Sequence, residues 1–145
     1  MNHHIHQRSM IGNEKPNQTE KSFDDGNFCA ICETIALRLK GNASLAQGDM
    51  EGVYYYSSMV NGKPSWTSMH YALWYAFGYW LIGDLDTIGE FEGRIYSYYG
   101  SQCPYNLSGD KWYYFQWDGD WMIAETNEIN VLCLDGNYLK SQTGS

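Results

Sequence analysis

Between residues 29 and 134 the chain reads as one short apolar and aromatic run after another, each closed by a turn signal. This constrains the fold more than any other feature. Runs of this length, rich in Val, Ile, Tyr and Trp, are strand-sized, and the turn residues between them send the chain back on itself. Ile35, Leu37 and Leu39 alternate with Ala36, Arg38 and Lys40, the period-two pattern of a half-buried strand. Residues 52–58 carry Val53, Tyr54, Tyr55 and Tyr56. Asn61-Gly62 follows, a dipeptide that tolerates the two positive φ angles of a tight hairpin. Residues 64–68 then return as an edge strand, because Pro64 cannot donate to an inner ladder. Residues 71–77 and 79–82 form two aromatic strands about Gly78. That glycine and the crowd of Tyr and Trp argue against a helix over 69–82. Residues 94–99, 112–117 and 128–134 complete the set, with Asp118-Gly119 turning the chain between Trp117 and Trp121. About eight short antiparallel strands predict an all-β domain, either a β-sandwich or a flattened barrel.

The 145 residues are enough for one domain with a core of its own. That domain is read as residues 29–134, between a polar N-terminal arm, 1–28, and a polar C-terminal tail, 135–145. The arm has isolated apolar residues and no periodicity, so alone it cannot offset the entropy of being ordered. The exposed sheet edge of another copy would order it. Main-chain hydrogen bonds would supply affinity, and Met10, Ile11 and Phe23 would fill pockets. A head-to-tail contact of that kind propagates into a filament unless its rotation closes a ring.

Three Asn-X-Ser/Thr sequons, at Asn17, Asn42 and Asn106, accompany four cysteines, Cys29, Cys32, Cys103 and Cys133. N-glycosylation needs the secretory route, and an even cysteine count in a small domain suits oxidising surroundings, so an extracellular location is expected. The first 28 residues carry no signal-peptide pattern, so a secreted protein of this sequence is expected to be a mature form. Cys32 opens the first core strand and Cys133 closes the last. If the two strands pair antiparallel those ends meet, which predicts Cys32 with Cys133 and Cys29 with Cys103. The alternative is a local Cys29–Cys32 bridge. A zinc site normally takes two CxxC pairs or clustered histidines beside one, and a thioredoxin-like role needs a helix after the CxxC, where a strand is expected here.

The net charge of -8 gives no attraction to phosphate backbones or anionic membrane surfaces, so neither nucleic acid nor membrane is an expected partner. The longest apolar run, around 71–82, is too short to span a bilayer. Aromatic residues make up 17% of the chain, well above ordinary usage, which fits strands, interfaces or sugar platforms.

The order of landmarks from Cys32 to Cys133 resembles a cysteine-bounded extracellular β repeat module of secreted and surface proteins of invertebrates and protists. The matching residues are Ile35 and Leu37 after the cysteine, Gly52-Val53-Tyr54, and Asn61-Gly62-Lys63-Pro64 with Trp66. Leu73-Trp74-Tyr75, Trp80-Leu81-Ile82-Gly83, Cys103-Pro104, Trp112, Trp121 and Ile129 to Cys133 follow. The resemblance covers about a hundred residues and implies a disulfide-closed, mostly β, extracellular building block without enzymatic activity.

No catalytic motif emerges. His70 is the one histidine inside the domain. His3, His4 and His6 read as a solvated tail or a tag remnant rather than metal ligands. GxSxG, P-loop and GxGxxG patterns are absent. The acid pairs Asp84/Asp86, Asp118/Asp120 and Glu90/Glu92 do not form an EF-hand loop, and read first as turn and surface residues. Trp117, Asp118, Asp120 and Trp121 have the composition of a sugar site, with aromatic faces for pyranose rings and carboxylates for hydroxyls. The competing reading makes both tryptophans core anchors around a hairpin. Tyr98-Tyr99 and Tyr113-Tyr114 should each place one ring on each sheet face. The expectation is therefore a non-enzymatic, N-glycosylated subunit without cofactor or metal. It assembles through its arm or an outer aromatic face, the alternative being a carbohydrate-binding module.

Overall fold

The computed structural model describes residues 30–135. They form one nine-stranded antiparallel sheet: β1 (Thr34–Leu39), β2 (Gly52–Val60), β3 (Lys63–Thr67), β4 (Tyr71–Ala76), β5 (Tyr79–Asp84), β6 (Ile95–Ser97), β7 (Tyr113–Phe115), β8 (Trp121–Ile123) and β9 (Ile129–Cys133). The spatial order is β8-β7-β6-β5-β4-β3-β2-β1-β9. The chain therefore meanders outward from β1 to β8, and β9 returns to pair with β1. The predicted all-β class holds. The two packed layers of a sandwich do not form; one sheet curls into a half-barrel around its own core.

Alternation along the strands builds that core. Ile35, Leu37 and Leu39 of β1, Tyr54 of β2, Trp66 of β3, Leu73 of β4, Trp80 and Ile82 of β5, Ile95 of β6 and Tyr114 of β7 all point inward, with Ile129 and Val131 of β9. Trp66, Trp80 and Trp112 are fully buried there. Each large side chain removed from water stabilises by about 1.5–3 kcal/mol. The indoles also need acceptors, and loop carbonyls supply them. Trp66 Nε1 donates to Cys32 (2.6 Å) and Trp80 Nε1 to Gln102 (2.7 Å).

The turns follow their residues. Asn61 (φ 56°) and Gly62 (φ 88°) make the expected tight hairpin between β2 and β3. The Asn61 side chain donates to the carbonyls of Tyr75 (2.8 Å) and Gly89 (3.1 Å), which anchors the hairpin to its neighbours. Residues 71–82 are two strands, as expected. One expectation fails: β3 lies between β2 and β4 and is not an edge. Pro64 is tolerated because β3 pairs with β4 only at Trp66 and Thr67, so no ladder on that side asks Pro64 for a donor.

A seven-residue helix, α1 (Gly41–Gln47), follows β1 and was not expected. It buries Ala43 and Gln47, and Gln47 Nε2 donates to the Phe115 carbonyl of β7 (2.6 Å). The helix thereby spans the opening of the curl between β1 and β7. Cys32 and Cys133 are bonded as predicted, with Cα atoms 5.9 Å apart. Asp135 reinforces the same corner, its carboxylate accepting from the N–H groups of Glu33 (2.8 Å) and Thr34 (3.2 Å). Cys103 is also disulfide-bonded; its predicted partner, Cys29, lies outside the described residues. Among the described residues no helix is long and apolar enough to cross a membrane.

Candidate functional site

The outward side of the sheet divides in two. Over β4 and β5 the 85–94 loop folds back. Phe91 packs with Ala72, Trp74, Ala76 and Leu81, and Trp74 Nε1 donates to the Glu90 carbonyl (2.9 Å). From β6 outward that cover stops. Leu81 of β5 pairs with Tyr96 of β6, and Tyr96 with Tyr113 of β7, so their side chains share the outer face. Tyr96 stacks on Tyr113 with ring centroids 5.0 Å apart and planes 4° apart. Trp121 of β8 meets Tyr96 edge-on at 4.8 Å and Phe115 at 5.1 Å. Tyr79 joins at 5.6 Å from Tyr96, and Tyr98 lies 5.9 Å from Tyr113. The result is a continuous aromatic surface across β5 to β8 that ends at the outermost strand.

This surface has its own electrostatics. Burial, and then the neighbouring Tyr113, Tyr79 and Tyr98, push the Tyr96 hydroxyl up to about 12. Tyr113 is raised first by its hydrogen bond to Tyr98, then by burial. The phenols therefore remain neutral donors throughout the physiological range.

At β8 the sheet stops on an apolar, uncharged strand. Met122 is 40% exposed and Ile123 is 53% exposed. Beyond Phe115 the β7–β8 turn raises Trp117, 82% exposed, with Asp118 and Asp120 beside it in sequence and also exposed. Asp118 has a structural task, since its Oδ1 accepts from the Asp120 N–H (3.2 Å). Neither sequence reading of the tryptophan pair holds for both members. Trp121 packs into the aromatic surface, whereas Trp117 stands in solvent and anchors nothing in the core.

Tyr113 and Tyr114 divide between the faces as expected, Tyr114 being buried in the core. Tyr98 and Tyr99 do not divide. They stack on each other at 4.8 Å because β6 has ended at Ser97, whose Oγ accepts from the Tyr99 N–H (3.2 Å). Asn42 and Asn106 are both exposed. Asn42 lies in the first turn of α1, not in a loop, and its N–H donates to the Glu128 carboxylate (3.0 Å). Asn17, Met10, Ile11 and Phe23 lie outside the described residues, as do His3, His4 and His6.

A polar node missed in the sequence sits elsewhere on the molecule. Arg94 reaches Asp49 (3.4 Å) and Asp84 (3.3 Å), and its guanidinium lies over the Tyr71 ring at 5.4 Å. The Tyr71 hydroxyl donates to Asp49 (2.7 Å). Burial pushes the Asp49 carboxyl up, but the Tyr71 hydroxyl and Arg94 outweigh it and hold it below its ordinary value. Met69, His70, Tyr71, Asp84, Leu85 and Asp86 line a shallow, wide-open depression of about 500 Å³ beside it. All the participating charges are substantially exposed, so the node is a surface ion-pair network. Its members come from four distant segments, which leaves no local pattern to detect. The aromatic surface did leave one: Tyr79/Leu81, Tyr96/Tyr98 and Tyr113/Phe115 each repeat an apolar or aromatic residue at strand spacing.

Comparison of the chain with protein-family models, curated proteins and solved structures finds no match.

Proposed function

We propose that this protein is an extracellular, N-glycosylated structural subunit that associates with further copies of itself, with strand β8 and the adjoining aromatic surface as its contact region. The observation that carries the reading is the state of the β8 edge. Soluble proteins blunt such edges with Lys, Pro or bulges, or cover them. Trp121-Met122-Ile123 has no charge and no proline, leaves two apolar side chains exposed, and continues into an uncovered aromatic face. An edge of this kind accepts an added strand. The arm of another copy, with Met10, Ile11 and Phe23 as anchors, is the proposed donor. The extracellular location is supported by the Cys32–Cys133 bond, by disulfide-bonded Cys103, and by two exposed sequons at Asn42 and Asn106.

Light scattering and negative-stain electron microscopy of the full chain, beside a variant lacking residues 1–22, test this. The full chain should form large particles without added ligand, and the truncated chain should remain a folded monomer. If the truncated chain assembles equally well, the arm is not the connector and the aromatic surface takes that role. A full chain that stays monomeric at high concentration removes the assembly reading.

One observation favours a second reading, carbohydrate binding. Trp117 presents an indole face to solvent beside two exposed carboxylates. A lectin of this kind would remain small and would shift its tryptophan fluorescence on adding glycans, and Trp117→Ala would abolish the shift.

A further inference from the structure

The phenols of the outer face differ in how their rings meet, and this decides which chemistry each pair can undergo. Tyr96–Tyr113 and Tyr98–Tyr99 meet face to face, with planes 4° and 22° apart. Tyr98 and Tyr113 meet differently. Their centroids are 5.9 Å apart, their planes are tilted by 36°, and their hydroxyls are hydrogen-bonded. Rings joined through their hydroxyls face each other along the edges that carry the ortho carbons. Tyr98 is also 49% exposed, so an oxidant in solution reaches it. The pair bridges two strands, since Tyr98 directly follows β6 and Tyr113 opens β7.

We propose that Tyr98 and Tyr113 form an oxidative cross-linking site that closes to an intrachain dityrosine. The co-reactant is hydrogen peroxide acting through a heme peroxidase. Each phenol gives up one electron and one proton and becomes a phenoxyl radical. The two radicals couple ortho carbon to ortho carbon, and each ortho hydrogen then returns to its phenol oxygen by tautomerisation. The peroxide takes up the two electrons and two protons and leaves as two waters. The protein loses two hydrogen atoms and gains one carbon–carbon bond between the end of β6 and the start of β7. The face-to-face pairs cannot make this bond without turning their rings. The cross-link is intrachain, so it forms whether or not the subunit assembles.

The test treats the full, disulfide-intact chain with peroxidase and hydrogen peroxide at low protein concentration. Reduction, alkylation and trypsin digestion follow. Cleavage after Arg94 and Lys111 separates Tyr98, on peptide 95–111, from Tyr113, on peptide 112–140. The expected product is blue-fluorescent and joins these two peptides, with the sum of their masses less two hydrogen atoms. Fragmentation should place the bond at Tyr98. Tyr98→Phe should abolish this product and Tyr96→Phe should leave it in place, both variants keeping the far-ultraviolet spectrum of the parent. Coupling within peptide 95–111 alone, coupling only between chains, or an undiminished product in Tyr98→Phe would each overturn the assignment.

Discussion

The indole of Trp66, at the centre of the curled sheet, donates to the carbonyl of Cys32 at 2.6 Å. Trp66 belongs to β3, while Cys32 precedes β1 and carries the bond to Cys133. The largest buried ring of β3 is therefore tied to the covalent corner two strands away. This makes Trp66 a reporter of that corner. Replacing Cys32 and Cys133 by alanine removes a cross-link that closes about a hundred residues, which in the chain-entropy model costs about 4–5 kcal/mol. Urea unfolding should show that loss, accompanied by altered tryptophan fluorescence in the native baseline. Peptide mapping of the parent protein should recover Cys32 joined to Cys133. Recovery of Cys29 joined to Cys32 would refute the topology.

Alkali should unfold the domain through its tyrosines. Burial raises the hydroxyls of Tyr54, Tyr75 and Tyr114, and the Asp49 hydrogen bond raises Tyr71. Burial carries Tyr96 up to about 12. In the unfolded chain these groups titrate near the ordinary 10.0 and release protons first. The unfolded state thus gains relative stability as the pH rises. The contribution is fully present below pH 10.0 and is lost as the pH climbs towards about 12. Unfolding followed at increasing pH should show stability falling through that window, with tyrosinate absorbance appearing in step. Tyr96→Phe should make the upper part of the fall shallower. A native protein in which all the tyrosines titrate near 10 without unfolding would contradict the burial argument.

The strands were legible because their signals are local. Alternation at Ile35, Leu37 and Leu39, the Asn61-Gly62 turn and Gly78 each act within a few residues. The Cys32–Cys133 pairing was legible because topology alone brought two strand ends together. Helix α1 was not. GNASLAQ has no side-chain cap and too few residues to be stable alone, and it forms because Ala43 and Gln47 fit the opening between β1 and β7. The central place of β3 was hidden for a related reason. The proline rule concerns one backbone donor, and β3 withdraws that donor from its ladder by pairing with β4 only beyond it. Strand spacing placed Tyr113 on the outer face, but where the 85–94 loop would cover that face is a tertiary fact with no trace in the spacing.

The exposed sequons should be occupied. Asn42 and Asn106 both reach solvent, and a glycan at either meets no packed neighbour. Intact-mass analysis of natively produced protein, with and without a glycosidase, should show a mass loss at both positions. Unmodified asparagine at both would remove the extracellular reading.

Two glycines should respond oppositely to alanine. A Cβ on Gly109 would lie 2.1 Å from the Thr126 carbonyl oxygen, which is backbone and cannot swing aside. Gly109→Ala should therefore cost about 1–3 kcal/mol through forced displacement of the chain. Gly48, at the end of α1, has helical dihedrals, and its nearest neighbour is the Ser44 hydroxyl at 3.5 Å. Gly48→Ala should be neutral or stabilise by up to about 1 kcal/mol, by reducing the freedom of the unfolded chain. Denaturant midpoints of the two variants check both signs.

The final prediction separates the edge of the sheet from the rest of its surface. Ile123 closes β8 and is 53% exposed, so a lysine there faces water and should change folding stability by no more than about 0.5 kcal/mol. It would also place a solvated charge where an added strand must lie flat, the device by which natural sheet edges refuse partners. Leu45 is 79% exposed on α1, away from that edge, and serves as a matched control. Ile123→Lys should unfold at the same denaturant concentration as the parent yet scatter light as a monomer, and Leu45→Lys should assemble as the parent does. Assembly of Ile123→Lys at the parent's rate and extent would show that copies do not meet along β8. Loss of assembly in both variants would point to net charge rather than to the edge.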